Sequence, residues 1–298
     1  MSALSVAGPS VWHQILNFAD YGALLSLVHN SIIAGAVIGL TGGLISVFVV
    51  MRDLPFAVHG ISELSFAGAS GFLLLGGSVV VGSLTGSILA ALVIGVLGSR
   101  ARDRNSIIGV LMPFGLGLGV LFLSLYHGHA ANKFGLLTGQ IVAVDTPHLT
   151  ALVITSVIVV LGLLVVWRPL TFASTDPDLA AARGVPVRLL SALFMLLLGL
   201  SVAMSIQVIG ALLVLSIICT PAAAATRVTA SPGLTALLSV LFAFTSTVGG
   251  ILLAIGSSVP ISPYVTTISF SIYLVCRVLG ILRSRAGWTQ RDPVPVPV

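Results

Sequence analysis

Nine apolar stretches follow one another between residues 24 and 282, with only short polar breaks between them. In order they cover 24–50, 55–76, 78–98, 106–126, 148–167, 188–208, 209–226, 233–255 and 263–282. About twenty apolar residues is the length of helix that crosses the hydrocarbon core of a bilayer. A water-soluble chain of 298 residues could not hide so many, since 57% of the residues are hydrophobic and 7% are charged. A membrane β-barrel needs alternating strands of about ten residues, which continuous runs contradict. The expectation is an all-α polytopic membrane protein, one transmembrane domain over 1–298 built as a bundle of eight or nine helices. The 209–226 run follows its neighbour without a loop, so a broken or re-entrant helix is expected there.

The basic residues set the orientation. Arg52, Arg100, Arg102, Arg104, Arg168, Arg183, Arg188, Arg227, Arg283, Arg285 and Arg291 all fall on one side when the spans alternate. That side is cytoplasmic by the positive-inside rule. The sole lysine, Lys133, falls outside. The net charge of +5 is therefore spread over loops and makes no basic face for nucleic acid. Residues 1–21 hold no Lys or Arg, which speaks against a secretory signal. Trp12, Ile15, Leu16 and Ala19 recur at helical spacing, so 1–23 reads as an interfacial N-terminal segment. The cytoplasmic tail, 284–298, ends in PVPVPV and is expected to be disordered. Cys219 and Cys276 lie far apart in apolar runs and read as small buried side chains.

One span is unlike the others. In PFAVHGISELSFAGASGFLLLGG, residues 55–77, His59 and Glu63 are four apart, on one face of a helix. Glu63 is the only glutamate in the chain. Ionisable residues within the bilayer face a partner, a cavity or a pathway, and imidazole with carboxylate suits divalent transition metals. The same pair could also be a structural hydrogen-bonded couple. Ser62, Phe66 and Ser70 share roughly that face and could line a path. At the external side His127, His129, Asp145 and His148 could form a mouth that gathers cations, or be ordinary solvated loop groups. On the cytoplasmic side two stretches carry helix punctuation. In DPDLAAARGVPV, Asp176 can cap, Pro177 can open a helix, and Gly184 with Pro186 can stop it. In CTPAAAATRVTASPG, Thr220 and Pro221 start a short alanine helix, which Pro232-Gly233 is expected to end.

A phosphate-binding loop of the form GxxxxGK[ST] needs a lysine, and Lys133 stands in HAANKFG, so the motif is missing. Neither a nucleophile elbow nor HExxH is present. The chain reads as a transport subunit without an ATPase site of that type, and not as an enzyme.

Three stretches resemble the permease subunits of the zinc/manganese family of bacterial ABC importers: residues 30–71, residues 135–149, and residues 176–227 with their GV-x-V loop, VIGALL segment and PAAAATR end. The resemblance spans about 25–282. It implies a fold similar to the cobalamin-type importer permeases, in a bacterial plasma membrane. It implies a homodimer docked on cytoplasmic ABC ATPase subunits and served by an extracytoplasmic metal-binding protein. No resident cofactor is implied, only a transported zinc, manganese or iron ion. The coupling helix would be the segment with Pro221, Ala222, Ala225 and Arg227, with the loop holding Asp178 and Gly184 as second choice. Family members usually read GDTLAHASLLG where this chain has VHGISELSFAG. His59 thus stands at the expected Asp and Glu63 at the expected His. Two ligands per copy are too few for a closed site, and a two-fold axis would bring four together. Rival readings are a proton-coupled secondary transporter using Glu63, a permease for a metal chelate, and a non-transporting scaffold or sensor.

Overall fold

A computed structural model describes residues 28–97, 101–128, 144–255 and 260–285, together with Leu25 and Ser257. The described residues form helices α1 (His29–Met51), α2 (Pro55–Leu74), α3 (Val79–Leu97), α4 (Ala101–Leu125), α5 (Thr146–Thr175), α6 (Pro177–Ala182) and α7 (Val187–Ile209). After a 3-10 turn at Ala211–Leu213 come α8 (Val214–Ile218), α9 (Thr220–Ala225), α10 (Pro232–Ala254) and α11 (Ser262–Arg285). No strand occurs among the described residues. Seven of the long helices are apolar enough to cross a membrane. The eighth, α2, stands outside that set because His59, Ser62, Glu63 and Ser65 dilute its apolar character.

The expected spans match these helices, with differences at the ends that have physical causes. α4 begins at Ala101, before its apolar run, so Arg104 is inside the helix. α5 continues through Pro169 to Thr175. Pro232 does not end the alanine helix but opens α10, because proline fits the first turn, where its missing N–H has no helical partner anyway. α9 already stops at Ala225. The interfacial segment 1–23, His129 and Lys133 lie outside the described residues. Of the tail expected at 284–298, residues 284 and 285 continue α11 and the rest lies outside the description.

The run expected to be broken is broken, into a 3-10 turn and two short helices. Gly210 takes φ +89°, where a side chain would be strained, and ends α7. From there the chain runs parallel to α11. Ser262 Oγ donates to the Ile209 carbonyl (3.1 Å), Ser269 Oγ to Ser216 (3.3 Å), and Arg283 Nη1 to Val228 (3.1 Å). Ala222 N–H donates to Ser46 Oγ on α1 (3.1 Å), supplying one of the partners that the break leaves wanting.

α2 lies between α3 and α4, and α7 packs across α3. Glycines make the approach to α3 close: a Cβ on Gly68 would stand 2.2 Å from the Gly82 carbonyl oxygen, and one on Gly86 2.2 Å from that of Leu64. Small residues allow such helix contact in a membrane, where no hydrophobic effect drives helices together. Towards the end of α1, Phe48, Trp167 and Phe194 form an aromatic cluster joining α1, α5 and α7, with Phe48 edge-on to Trp167 at 4.8 Å.

Candidate functional site

A tight turn brings the chain from α1 into α2. Asp53 adopts φ +52°, Leu54 takes the cap position, and Pro55 opens the helix with its φ already set. Helical spacing then puts His59 about 6 Å and Glu63 about 12 Å along α2 from its first residue. His59 Nε2 lies 3.7 Å from Glu63 Oε1. Ligand atoms each about 2.0–2.2 Å from one ion can be at most about 4.4 Å apart, so the pair is within reach of a shared ion. The two side chains are unequal in access: His59 is 34% exposed and Glu63 4%. The site therefore has an open edge at the imidazole and a closed interior at the carboxylate.

The rest of that face is closed by the same chain. Phe66 is fully buried, and a Cβ on Gly119 of α4 would stand 2.4 Å from its ring. Gly115, one turn earlier on α4, faces the backbone of Glu63 at 3.0 Å. Ser62 Oγ donates to the His59 carbonyl and Ser70 Oγ to the Phe66 carbonyl, both at 2.8 Å. Their protons are engaged by the helix, and lone pairs remain for a cation. The structure brings His59, Ser62, Glu63, Phe66 and Ser70 onto one face. It also adds two residues that sequence reasoning missed, Gly115 and Gly119, whose four-residue spacing was the available signal.

Ser65 and Ser83 were missed as well. Ser65 Oγ lies 2.8 Å from Ser83 Oγ and donates to the Ser83 carbonyl at 2.9 Å, while Ser83 Oγ donates to the Ala203 carbonyl at 3.0 Å. This buried chain ties α2 to α3 and α7 behind the His59–Glu63 face.

The expected mouth residues are less concentrated. His127 is exposed at the end of α4, and Asp145 caps α5 by accepting from the His148 N–H at 3.3 Å. A side-chain hydrogen bond from His148 holds the Asp145 carboxyl below the usual carboxylate range. No group of three or more His, Cys, Asp or Glu gathers among the described residues.

The two candidates for the coupling helix differ in access. Pro221, Ala222, Ala224 and Ala225 are buried against α1, α10 and α11, and only at Thr226 and Arg227 does that segment become exposed. α6 stands out instead: Asp178, Leu179, Ala181 and Gly184 are exposed, and Ala180 alone of the helix is buried. Its punctuation is as expected, with Leu179 N–H donating to Asp176 Oδ1 at 2.9 Å and Gly184 at φ +81°.

The chain matches the ABC 3 transport family over residues 25–280. It belongs to that family. Among similar proteins is a manganese transport system membrane protein, MntC, of Halalkalibacterium halodurans, 27% identical over 78% of this chain and 80% of the relative. The high-affinity zinc uptake system membrane protein ZnuB of Haemophilus influenzae is 24% identical over 85% of this chain and 97% of its own length. Among solved structures, PsaBC from Streptococcus pneumoniae in complex with Fab superposes with a TM-score of 0.77 at 24% identity, covering 87% of this chain and 95% of that one. A putative metal-chelate type ABC transporter in an inward-facing conformation gives 0.65 at 19% identity, covering 89% and 88%. The ABC 3 member described here is thus a multi-pass permease of the bacterial plasma membrane with the all-helical fold of ABC transporter permeases.

Proposed function

We propose that this permease imports a divalent transition metal ion, manganese or zinc before iron(II), and that ATP hydrolysed by a separate subunit drives it. The supporting observation is the pair His59–Glu63, 3.7 Å apart on the helix that carries the chain's one glutamate, in a chain that matches the ABC 3 family from residue 25 to 280. The relatives named for manganese and zinc point to the same cargo class.

In this reading His59 meets the ion at the open edge and Glu63 holds it when α4 moves away from α2. A second copy of the chain completes the ligand set. Binding must be weak enough to release, so an incomplete site in one copy suits conduction. The external cation, delivered by a binding protein, first meets the exposed groups His127, Asp145 and His148. At the cytoplasmic side we assign docking on the ATPase to α6 rather than to the Pro221 segment, because α6 is exposed and α9 is packed inside.

The test is uptake into proteoliposomes holding this chain with its ATPase and binding protein. Manganese, zinc and iron(II) are compared with and without ATP, for wild type and Glu63→Gln. ATP-dependent uptake of one metal, lost in the variant, is expected. Uptake that ignores ATP but collapses with the proton gradient would replace this reading with a proton-coupled carrier.

A further inference from the structure

Arg52, Arg104 and Arg188 converge on a cavity of about 430 Å³ at the cytoplasmic end of the bundle. It lies between the last turns of α1 and α3 and the first turns of α4 and α7. Arg52 is held on one side only. Its Nη2 donates to Ser191 Oγ and its guanidinium lies 5.7 Å from the Phe194 ring centroid, but Nη1 is buried with no partner among the described residues. Nε of Arg104 is buried in the same condition. The two guanidinium groups lie close enough to act on each other as like charges. Asp53, which acts on Arg104, is itself exposed. No acidic side chain lines the cavity among the described residues.

Two half-buried cations, each with one buried and unmatched N–H donor, are unfavourable without a counter-ion. The cavity cannot belong to the metal path, since three arginines repel a divalent cation. We propose that it binds a phosphate group, supplied by the headgroup of an anionic phospholipid from the inner leaflet. Guanidinium forks match phosphate oxygens geometrically, and basic pockets between membrane helices on the cytoplasmic side take such headgroups.

The surroundings favour a lipid over free phosphate. Arg52 directly follows the last residue of α1, at the membrane edge. The rim is apolar and open on the α3 side, where Val96 is 72% exposed. Leu92 and Leu89 continue from Val96 up the same face of α3, also exposed, and offer a track for an acyl chain. A lipid held here braces the Arg52–Leu54 turn, the segment that leads directly into the helix carrying His59 and Glu63.

Thermal unfolding of the purified, delipidated full-length chain in neutral detergent and phosphate-free buffer tests this. Phosphatidylglycerol, phosphatidylcholine and sodium phosphate are titrated separately. Phosphatidylglycerol should raise the unfolding temperature of wild type by mass action and phosphatidylcholine should not. In the double variant Arg52→Gln, Arg104→Gln the concentration needed should rise at least tenfold. The exposed Arg188→Gln gives a smaller rise and carries the test should the double variant fail to fold. Arg168→Gln, at the same membrane side but outside the cavity, should respond like wild type. Equal responses of wild type and the cavity variants to phosphatidylglycerol overturn the proposal. So does an equal effect of phosphatidylcholine. Saturation by inorganic phosphate alone overturns the lipid occupant, and stabilisation by an ATPase subunit with none by lipid hands the arginines to a protein partner.

Discussion

Gly115 of α4 stands against the backbone of Glu63: a Cβ added to it would lie 3.0 Å from the Glu63 carbonyl carbon and 3.2 Å from the Glu63 Cβ. Backbone cannot yield as a flexible side chain can. Gly115→Ala should therefore push α4 off α2 and destabilise the protein by about 1–3 kcal/mol, the range for overpacked cores. Gly119→Ala meets the buried Phe66 ring at 2.4 Å and should behave alike. Gly109 and Gly117, on the same helix, have nothing within 4 Å of an added Cβ. Alanine there should be neutral or stabilising by up to about 1 kcal/mol. Thermal unfolding of the four variants in one detergent gives the comparison. A loss at Gly109 or Gly117 as large as at Gly115 would mean that another surface, such as a second copy, covers that face.

Removing either side chain of the pair should sharply lower transport and leave the fold intact. Loss of an outer-shell partner alone typically lowers metal affinity or activity about ten- to a hundredfold, so loss of a ligand should cost no less. Uptake at subsaturating metal is expected to fall by that amount in both His59→Ala and Glu63→Gln, at wild-type expression. Glu63→Gln keeps size and shape, removes the charge and turns one acceptor oxygen into an NH2 donor. If it transported normally while His59→Ala did not, the carboxylate would have a structural role.

The buried serine chain makes a separate prediction. Ser83→Ala removes the donor to the Ala203 carbonyl and one partner of Ser65 Oγ. Interhelical hydrogen bonds of this kind average about 0.6 kcal/mol in membranes. Ser83→Ala should cost about that much, and Ser65→Ala a similar amount. The double variant should cost less than the sum, because the two hydroxyls share one bond. Strict additivity in a double-mutant cycle would dissolve the network into independent contacts.

What the sequence made legible was whatever rests on local physics. Continuous apolar runs mark helices, and Asp176, Pro177 and Gly184 punctuate α6 where expected. The i,i+4 spacing of His59 and Glu63 was enough to place them together. Long-range relations were not visible. That Gly115 and Gly119 face α2, or that Arg52 reaches Ser191 139 residues away, follows from packing between helices. The two coupling candidates looked alike in sequence, since punctuation says where a helix starts and stops but not what covers it.

That difference in cover supports the sharpest test of the coupling assignment. Leu179 on α6 is half exposed, whereas Ala222 on α9 is fully buried beside Ser46, whose hydroxyl accepts its N–H. A glutamate at each position should therefore fail in different ways. Leu179→Glu places a charge on an exposed surface, so the permease should purify with an unchanged unfolding temperature. It should no longer retain the ATPase subunit on affinity purification, and the assembled transporter should lose metal-dependent ATP hydrolysis. Ala222→Glu buries an unpaired charge in a packed helix junction, which destabilises by several kcal/mol or forces protonation. It should lower expression and unfolding temperature before any question of docking arises. Dissociation of the ATPase by an exposed charge at Arg227, such as Arg227→Glu, with full retention in Leu179→Glu, would return the coupling role to the end of α9.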